Sequence, residues 1–259
     1  MIDGHVHLEN VPLTKEYAYE LIQGAIDKGI DELQILDHTH RFKEFAPLYE
    51  PHRKVKAQND WLKTDFRNSI YEYIDLIEEM KKEKLPIKVR FGLEVCYQPE
   101  EEEFLKGILK IYNWDFLIGS IHAIYHIAYD STWSLDELWH KYDTDDIYKE
   151  YFINSYKLVE SNLFTQIGHP DTIKMFNIYP SFDLKPYFEK LASLCDRHNV
   201  LVENNVGCYY RYHHKDMGLN DEVLKIFKDS GCKMITVSDA HYPKDVGNFI
   251  KDIWNKTMY

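Results

Sequence analysis

Short apolar segments alternate with amphipathic helical segments along nearly the whole chain. In residues 14–29 the apolar side chains recur at helical spacing, and the short apolar run at 33–36 that follows is typical of a buried strand. The same alternation continues to a last predicted helix at 244–255. It predicts an α/β fold with a parallel sheet of about seven strands.

Polar residues stand where most of the predicted strands end. An open doubly wound sheet would show the same alternation of strands and helices. Active sites of β/α barrels are built at the carboxyl ends of the strands, so these polar residues favour a closed barrel of the TIM type with one unit fewer. No linker or break in composition divides the 259 residues, which predicts a single domain, 1–259.

The composition narrows the choice of partners and of compartment. A net charge of −12 disfavours long nucleic acid and anionic membranes and favours a small substrate. No apolar run has the length of a membrane span and no signal peptide is evident, so the sequence predicts a cytoplasmic protein. The cysteines have no CxxC spacing and are expected to be reduced thiols: Cys96, Cys195, Cys208 and Cys232.

Two histidines, His5 and His7, lie one residue apart in the first predicted strand. Residues i and i+2 of a strand point to the same face, so both imidazoles can reach one metal ion. Further candidate ligands end the later strands: Asp37, His38, Glu94, His122, His169, Asp239 and His241. One zinc ion takes four ligands. The sequence therefore predicts two or three divalent ions, bridged by a carboxylate such as Glu94, and the mixed nitrogen and oxygen ligands suit zinc, manganese or iron.

These residues occur in short motifs: His5-x-His7, Asp37-His38, Gly92-Leu93-Glu94, Gly119-Ser120-Ile121-His122, Ile167-Gly168-His169-Pro170-Asp171 and Ser238-Asp239-Ala240-His241. In this combination, over residues 1–247, the chain resembles the PHP (polymerase and histidinol phosphatase) superfamily, and most of all its histidinol-phosphatase branch. The resemblance implies a distorted (β/α)7 TIM-like barrel with a trinuclear metal site. It also implies a ligand set for each metal: His5, His7, Glu94 and Asp239 for the first, Glu94, His122 and His169 for the second, and His38 and His241 for the third.

One loop departs from the family pattern. Several members place a further histidine after the His-x-His pair, whereas the loop that follows His7 contains none. A carboxylate is also a metal ligand, and we expect Glu9 to replace that histidine at the third metal.

The predicted metals favour hydrolysis of a phosphomonoester, in which a hydroxide that bridges two of them attacks phosphorus. The resemblance to the histidinol-phosphatase branch implies L-histidinol phosphate as the substrate. Arginine suits the bidentate recognition of phosphate, and Arg41 and Arg211 lie just after predicted strands. Three residues are candidates for protonating the leaving group, and the sequence does not choose among them: His40, Asp171 and His213.

Other parts of the chain are candidates for contacts with the rest of the substrate. Segment 45–63 is predicted to be a loop that covers the site. Four tyrosines could surround a substrate cation: Tyr97, Tyr209, Tyr210 and Tyr212.

Three alternative functions stay open. The first is a phosphoesterase for another small phosphate or a nucleotide, and the second is a C–N hydrolase of the amidohydrolase type. Amidohydrolases often carry a modified lysine at a strand end, and its absence favours phosphoester chemistry. The third is a non-catalytic relative, which would have lost ligands, whereas only the loop around Glu9 departs here.

Overall fold

A parallel β-sheet forms the centre of the protein in its computed structural model, which describes residues 1–9 and 11–259. In chain order the strands are β1 (Ile2–His7), β2 (Glu32–Leu36), β3 (Lys88–Cys96), β4 (Phe116–Ser120), β5 (Ala123–Ile124), β6 (Ile127–Ala128), β7 (Gln166–Ile167), β8 (Leu201–Asn205) and β9 (Met234–Val237). Strands β5 and β6 form a separate antiparallel hairpin. The other seven pair in chain order, each parallel to the next.

The first and last strands of this sheet approach each other. The amide of His7 donates to the carbonyl of Ala240 at 2.8 Å, and the Thr236 hydroxyl donates to the carbonyl of Ile2 at 2.6 Å. The sheet is therefore a nearly closed, distorted seven-stranded barrel, which confirms the predicted fold class. Asn10, part of the predicted loop after β1, lies outside the described residues.

Helices follow the strands around the barrel: α1 (Lys15–Asp27), α2 (Lys56–Leu62), α3 (Ile70–Met80), α4 (Glu102–Ile108), α5 (Thr144–Glu160), α6 (Lys185–His198), α7 (Gly207–Tyr212), α8 (Asp221–Asp229) and α9 (Ile250–Met258). Capping residues in the sequence explain where two of these helices begin. The Thr14 hydroxyl caps α1 by accepting from the amide of Tyr17, and Ser69 and Glu72 form a capping box at α3. The apolar face of α1 is buried in the core, where each fully buried leucine or isoleucine stabilises the fold by about 1.5–3 kcal/mol.

Two predicted elements differ from the observed ones. Segment 45–63 is not a loop, because a 3₁₀ helix (Lys43–Lys54) and α2 occupy it. Its prolines, Pro47 and Pro51, interrupt the spacing by which a helix is recognised. The last helix starts at Ile250 and not at Lys244, because Gly247 and Phe249 have positive φ angles of 73° and 57°.

No helix of the described residues combines the length and the apolar composition that crossing a membrane requires. All four cysteines are free thiols, as predicted.

Candidate metal centre

A cavity of about 350 Å³ opens where the parallel strands end. Nine histidine and carboxylate side chains meet at or directly behind its surface, and we call them the ligand cluster: His5, His7, Glu9, His38, Glu94, His122, His169, Asp239 and His241. Their side chains are at most 19% exposed. They come from separate strand ends that only the closed barrel brings together.

Glu94, near the end of β3, lies at the centre of the cluster. Its Oε2 atom is 3.1 Å from His5 Nε2 and 3.0 Å from His38 Nδ1. Its Oε1 atom is 2.9 Å from His169 Nε2 and 3.2 Å from His122 Nε2. The two oxygens of one carboxylate therefore face two different pairs of imidazoles, as a bridging ligand requires.

Three groups within the cluster have ligand atoms that all lie within 4.8 Å of one another. The groups are His5, His7 and Asp239; then His38, Glu94 and His122; and then His7, Glu9, His38 and His241. The sets resemble those implied by the family pattern, except that His38 also approaches Glu94 and His7 also approaches the Glu9 group. Which metal each residue binds stays a prediction.

Glu9 lies where a third-metal ligand is expected. Its Oε2 atom is 3.2 Å from His241 Nε2 and 3.8 Å from His38 Nε2. Burial by itself would raise the pKa of Glu9, but His38 and His241 lower it below the usual range. The side chain is thus an ionised carboxylate within the histidines, and not a solvent-facing one.

Carboxylates and imidazoles in the ligand cluster shift each other's pKa values. Burial would raise the pKa of Glu94, but the imidazoles of His38, His5 and His122 hold it well below its usual value. Burial would lower the pKa of His5, yet Glu203, Glu94 and Asp239 raise it well above the usual value. Carboxylates and imidazoles therefore stabilise each other's charged forms, and divalent metal ions would take the place of the protons on those imidazoles.

The residues present fit divalent metal ions. The Nε2 atoms of His5 and His7 face each other at 3.0 Å, and those of His122 and His169 at 3.3 Å. Buried imidazoles whose nitrogens converge in this way, among ionised carboxylates, form a site for cations with mixed nitrogen and oxygen ligands. The ligand cluster can therefore hold several divalent ions, as the sequence predicted.

Glu203 is a buried residue of the site that the sequence analysis missed. It lies in β8, and its Oε1 atom is 2.8 Å from Nδ1 of His5, on the ring edge opposite Glu94. Its other oxygen accepts from the amide of His169 at 2.7 Å. A carboxylate behind a ligating histidine fixes the tautomer and orientation of the ring. An acidic residue directly after the apolar run 200–202 was the available signal.

Ser120 orients Glu94 from the neighbouring strand. Its hydroxyl donates to Glu94 Oε1 at 2.6 Å. A Cβ atom at Gly168 would lie 2.1 Å from that hydroxyl oxygen, so only glycine fits at this position. The Gly168-His169 pair in the sequence thus brings the backbone close to Ser120 and places His169 beside Glu94.

The two candidate arginines have different environments. Arg211, in α7, lines the cavity, and its Nη1 atom is 3.1 Å from Asp239 Oδ1. Arg41 is 2% exposed and donates to Asp37, Asn68 and the carbonyl of Leu8. Because protein acceptors occupy the Arg41 guanidinium, the structure contradicts the prediction that it binds phosphate. Asp37 likewise pairs with Arg41 and is not part of the ligand cluster.

Of the three candidate proton donors, only one lies in the cavity lining that the described residues form. His40 lines the cavity, and its ring stacks on that of His38 at 4.7 Å between centroids. Asp171 is 7% exposed and forms an ion pair with Lys174 at 2.5 Å, outside the cavity lining. His213 is the exposed C-cap of α7, also outside the lining. These positions contradict the predicted catalytic roles of Asp171 and His213 and leave His40.

Side chains from helices and connecting segments also line the cavity. We call eight of them the cavity wall: Tyr49, His52, Gln58, Trp61, Asp130, Trp133, Arg211 and Tyr212. Four of these come from the 3₁₀ helix Lys43–Lys54 and from α2, so this segment lies over the site as predicted, although it is helical.

Of the four candidate tyrosines, Tyr212 alone is in the cavity lining that the described residues form. Tyr97 donates to Glu102, and Tyr210 donates to the carbonyl of Ser238. The ring of Tyr209 packs against Phe249. These three tyrosines therefore serve packing, and the prediction that they surround a substrate cation is wrong.

A β/α barrel that gathers histidines and carboxylates at its strand ends defines a class of metal-dependent barrel enzymes. A family model described as the PHP domain matches residues 3–206 of the chain. The chain therefore belongs to the PHP domain family, which confirms the resemblance seen in its motifs. Arg211, Asp239 and His241 follow the matched range.

Alignments with two curated relatives extend over nearly the whole chain. It is 25% identical over 268 residues to the probable histidinol-phosphatase of Deinococcus radiodurans, with 100% of this chain and 95% of that protein covered. It is 24% identical over 253 residues to the histidinol-phosphatase of Lactococcus lactis subsp. lactis, with 94% and 85% covered.

Solved structures of similar proteins have the same fold. The crystal structure of histidinol phosphate phosphatase from Lactococcus lactis subsp. lactis, complexed with zinc, L-histidinol and phosphate, matches with a TM-score of 0.70 at 18% identity, over 100% of this chain and 94% of that chain. The putative histidinol phosphatase from Listeria monocytogenes matches with a TM-score of 0.71 at 16% identity, over 97% and 99%. At these identities the likeness establishes the shared barrel fold.

Proposed function

We propose that the protein is a metal-dependent phosphomonoesterase that hydrolyses L-histidinol phosphate to L-histidinol and phosphate. The observation that carries the proposal is the position of Glu94, whose two oxygens face separate pairs of imidazoles within reach of one cavity. The curated relatives that span almost the whole chain are named histidinol-phosphatases, and the Lactococcus enzyme was solved with zinc, L-histidinol and phosphate. We also propose that residues 1–259 act as one domain in the cytoplasm.

When bound, two or three divalent ions would supply a nucleophilic hydroxide at neutral pH and neutralise the charge on the phosphoryl oxygens. The chain's own part is to hold the ligands in place. Glu94 and the histidines around it would hold the metal ions that in turn bind the phosphoryl oxygens. Glu203 and Ser120 keep His5 and Glu94 in orientation, so that little reorganisation accompanies the reaction.

Arg211 is the proposed contact to a phosphoryl oxygen. Its Nη1 atom is held by Asp239 at 3.1 Å, and its Nη2 atom donates to the Tyr212 hydroxyl at 3.1 Å. The guanidinium is thus kept beside the ligand cluster with its charge toward the cavity. An arginine fixed in this way recognises an anionic oxygen without losing much side-chain entropy.

His40 is the proposed donor of a proton to the leaving alkoxide. Its Nδ1 atom lies 3.3 Å from Asp65 Oδ1, which orients the ring. The ring lines the cavity between His38 and Trp61, with centroids 4.7 Å and 4.9 Å away. A histidine that is oriented by a carboxylate on one nitrogen can exchange a proton through the other.

The test is phosphate release from L-histidinol phosphate by the metal-loaded protein, beside a panel of other small phosphomonoesters and a nucleoside monophosphate. We expect kcat/KM for L-histidinol phosphate to exceed that of the other esters by roughly three orders of magnitude, because a pocket with polar contacts rejects analogues that leave them unpaired. Slow hydrolysis without preference would contradict the substrate. No release from any ester would contradict phosphoester chemistry and favour C–N hydrolysis.

A further inference from the structure

Asp130 differs from the other acidic side chains in the cavity lining. Glu9, Glu94 and Asp239 each have a histidine or arginine nitrogen within 4 Å. Asp130 has no hydrogen bond or ion pair from its carboxylate to any other described residue. A carboxylate at a partly dehydrated cavity surface is stabilised by a cation or by hydrogen-bond donors. We therefore expect a cation or a hydrogen-bond donor of the bound ligand to pair with the Asp130 carboxylate.

The backbone around Asp130 is held in place by the protein. The residue before it, Tyr129, is fully buried, and its amide donates to the carbonyl of His122 at 3.2 Å. The carbonyl of Tyr129 accepts from the Trp139 indole at 3.0 Å. The residue after it, Ser131, donates through its amide to the Ser134 hydroxyl at 2.9 Å. Asp130 thus projects from an anchored segment that starts at a member of the ligand cluster.

Tyr212 lines the same cavity as Asp130 and contacts Arg211, the proposed phosphate ligand. Its hydroxyl accepts from Arg211 Nη2 at 3.1 Å. The Arg211 guanidinium carbon lies 5.2 Å from the centroid of the Tyr212 ring, and Asp130 lines the same cavity. Burial raises the pKa of Tyr212, the charge of Arg211 lowers it, and the charge of Asp130 raises it. Trp133 adds an aromatic surface to the same part of the lining. One cavity therefore has a positive group, Arg211, beside the ligand cluster and an unpaired negative group, Asp130, in the same lining.

We propose that Asp130 binds the ammonium group of the substrate and selects amino-alcohol phosphates over esters that lack an amine. The inference rests on the proposed function, because it assigns the second charge of the same substrate. A primary ammonium stays charged at neutral pH, whereas an imidazole with an ordinary pKa of about 6.5 is mostly neutral. The ammonium is therefore the stronger partner for a carboxylate.

The experiment uses two matched esters, L-histidinol phosphate and its analogue without the amine, 3-(imidazol-4-yl)propyl phosphate. We compare Asp130→Asn with the wild-type holoenzyme. A hydrogen bond to a charged group contributes about 1.5–3 kcal/mol, so kcat/KM for L-histidinol phosphate should fall roughly 30-fold in the variant. For the analogue it should change less than about threefold, since the lost contact is absent. Asp136→Asn, at a side chain that is 86% exposed, is the charge-matched control and should alter neither value.

The possible outcomes distinguish failure of the Asp130 role from failure of the proposed function. An equal loss on both esters, or no loss on either, would overturn the role of Asp130. If the wild type does not hydrolyse L-histidinol phosphate, the proposed function fails, and the same comparison on 2-aminoethyl phosphate and ethyl phosphate then decides the role of Asp130 separately. Because the carboxylate of Asp130 has no hydrogen bond or ion pair within the described residues, the thermal unfolding of the variant should match that of the wild type, which excludes misfolding as the cause of a loss.

Discussion

The ligand cluster and the cavity wall surround the same space but are built differently. Each member of the cluster lies within 4 Å of another charged or titratable side chain, and the cluster is almost fully buried. The wall also has buried side chains, such as Tyr49 at 3%, but it includes aromatic side chains that are much more exposed, Trp61 at 40% and Tyr212 at 44%. It also contains Asp130, for which the described residues supply no partner.

This difference indicates that the ligand cluster and the cavity wall have different roles. Each cluster residue is fixed by several others, so its position depends little on the ligand, as binding metals and a phosphoryl group requires. The wall has free contact surface and is formed by segments between the barrel elements, where chains with one fold can differ. We expect the cluster, with Arg211, to determine the reaction and the rest of the wall to determine the alcohol part of the substrate.

Glu94→Gln should have the largest effect. The amide has one neutral oxygen and an NH2 group that cannot bind a cation, so at least one bound metal should be lost. We expect kcat/KM to fall by about 10³-fold or more on every ester alike. Metal counting by mass spectrometry together with phosphate release measures both. The control is Glu100→Gln, at an exposed residue that follows the same strand, and full metal content in Glu94→Gln would contradict the bridging role.

Glu9→Ala should remove one ion and leave the others. Its carboxylate is the anionic group of the His7, Glu9, His38 and His241 set, so that set alone should lose its charge balance. The expected cost is about 10²-fold in kcat/KM, again on all esters. Metal counting is the direct measurement, with the exposed Glu20→Ala as control. An unchanged metal complement would exclude Glu9 as a ligand.

Glu203→Gln should weaken metal binding without removing a ligand. Loss of a carboxylate behind a ligating histidine typically lowers metal affinity 10–100-fold. Competition with a chelator measures that affinity directly. The exposed Glu222→Gln, in α8, is the matched control. Restoration of activity by added metal is expected, whereas unchanged affinity would mean that Glu203 only packs behind His5.

Alanine substitutions of the two arginines should affect different properties, substrate binding for Arg211 and stability for Arg41. Arg211→Ala should raise KM about tenfold, because one charge-assisted contact is lost, and should leave metal content nearly unchanged. Arg41→Ala should instead lower the free energy of unfolding by about 3–5 kcal/mol, since it leaves Asp37 buried without its partner. Urea unfolding and kinetics on both variants check this. A stable Arg41→Ala with raised KM would reverse the assignment.

The sequence predicted the cluster well for a physical reason. Strand periodicity places His5 and His7 on one face, and the end of an apolar run places residues such as Glu94 at the barrel opening. The barrel fold then brings these strand ends together without further information. The nine predicted ligands meet at one site for this reason.

The wall depends on packing that sequence patterns do not record. Arg41 and Arg211 both follow strands, yet only the fold shows that Asp37 and the carbonyl of Leu8 occupy Arg41. The segment that contains Tyr49 and Trp61 has proline within a 3₁₀ helix, which no simple periodicity predicts. Asp171 resembled a site residue in its motif, and its pairing with Lys174 became visible only in three dimensions.

Removal and return of metal tests the central claim most directly. The protein is stripped with a chelator, and zinc or manganese is titrated back while bound metal and phosphate release from L-histidinol phosphate are measured together. The account predicts no activity in the stripped protein, and activity that rises with metal uptake and saturates at two or three ions per chain. Hydrolysis of L-histidinol phosphate that is retained without metal, or full metal uptake with no hydrolysis, would contradict it.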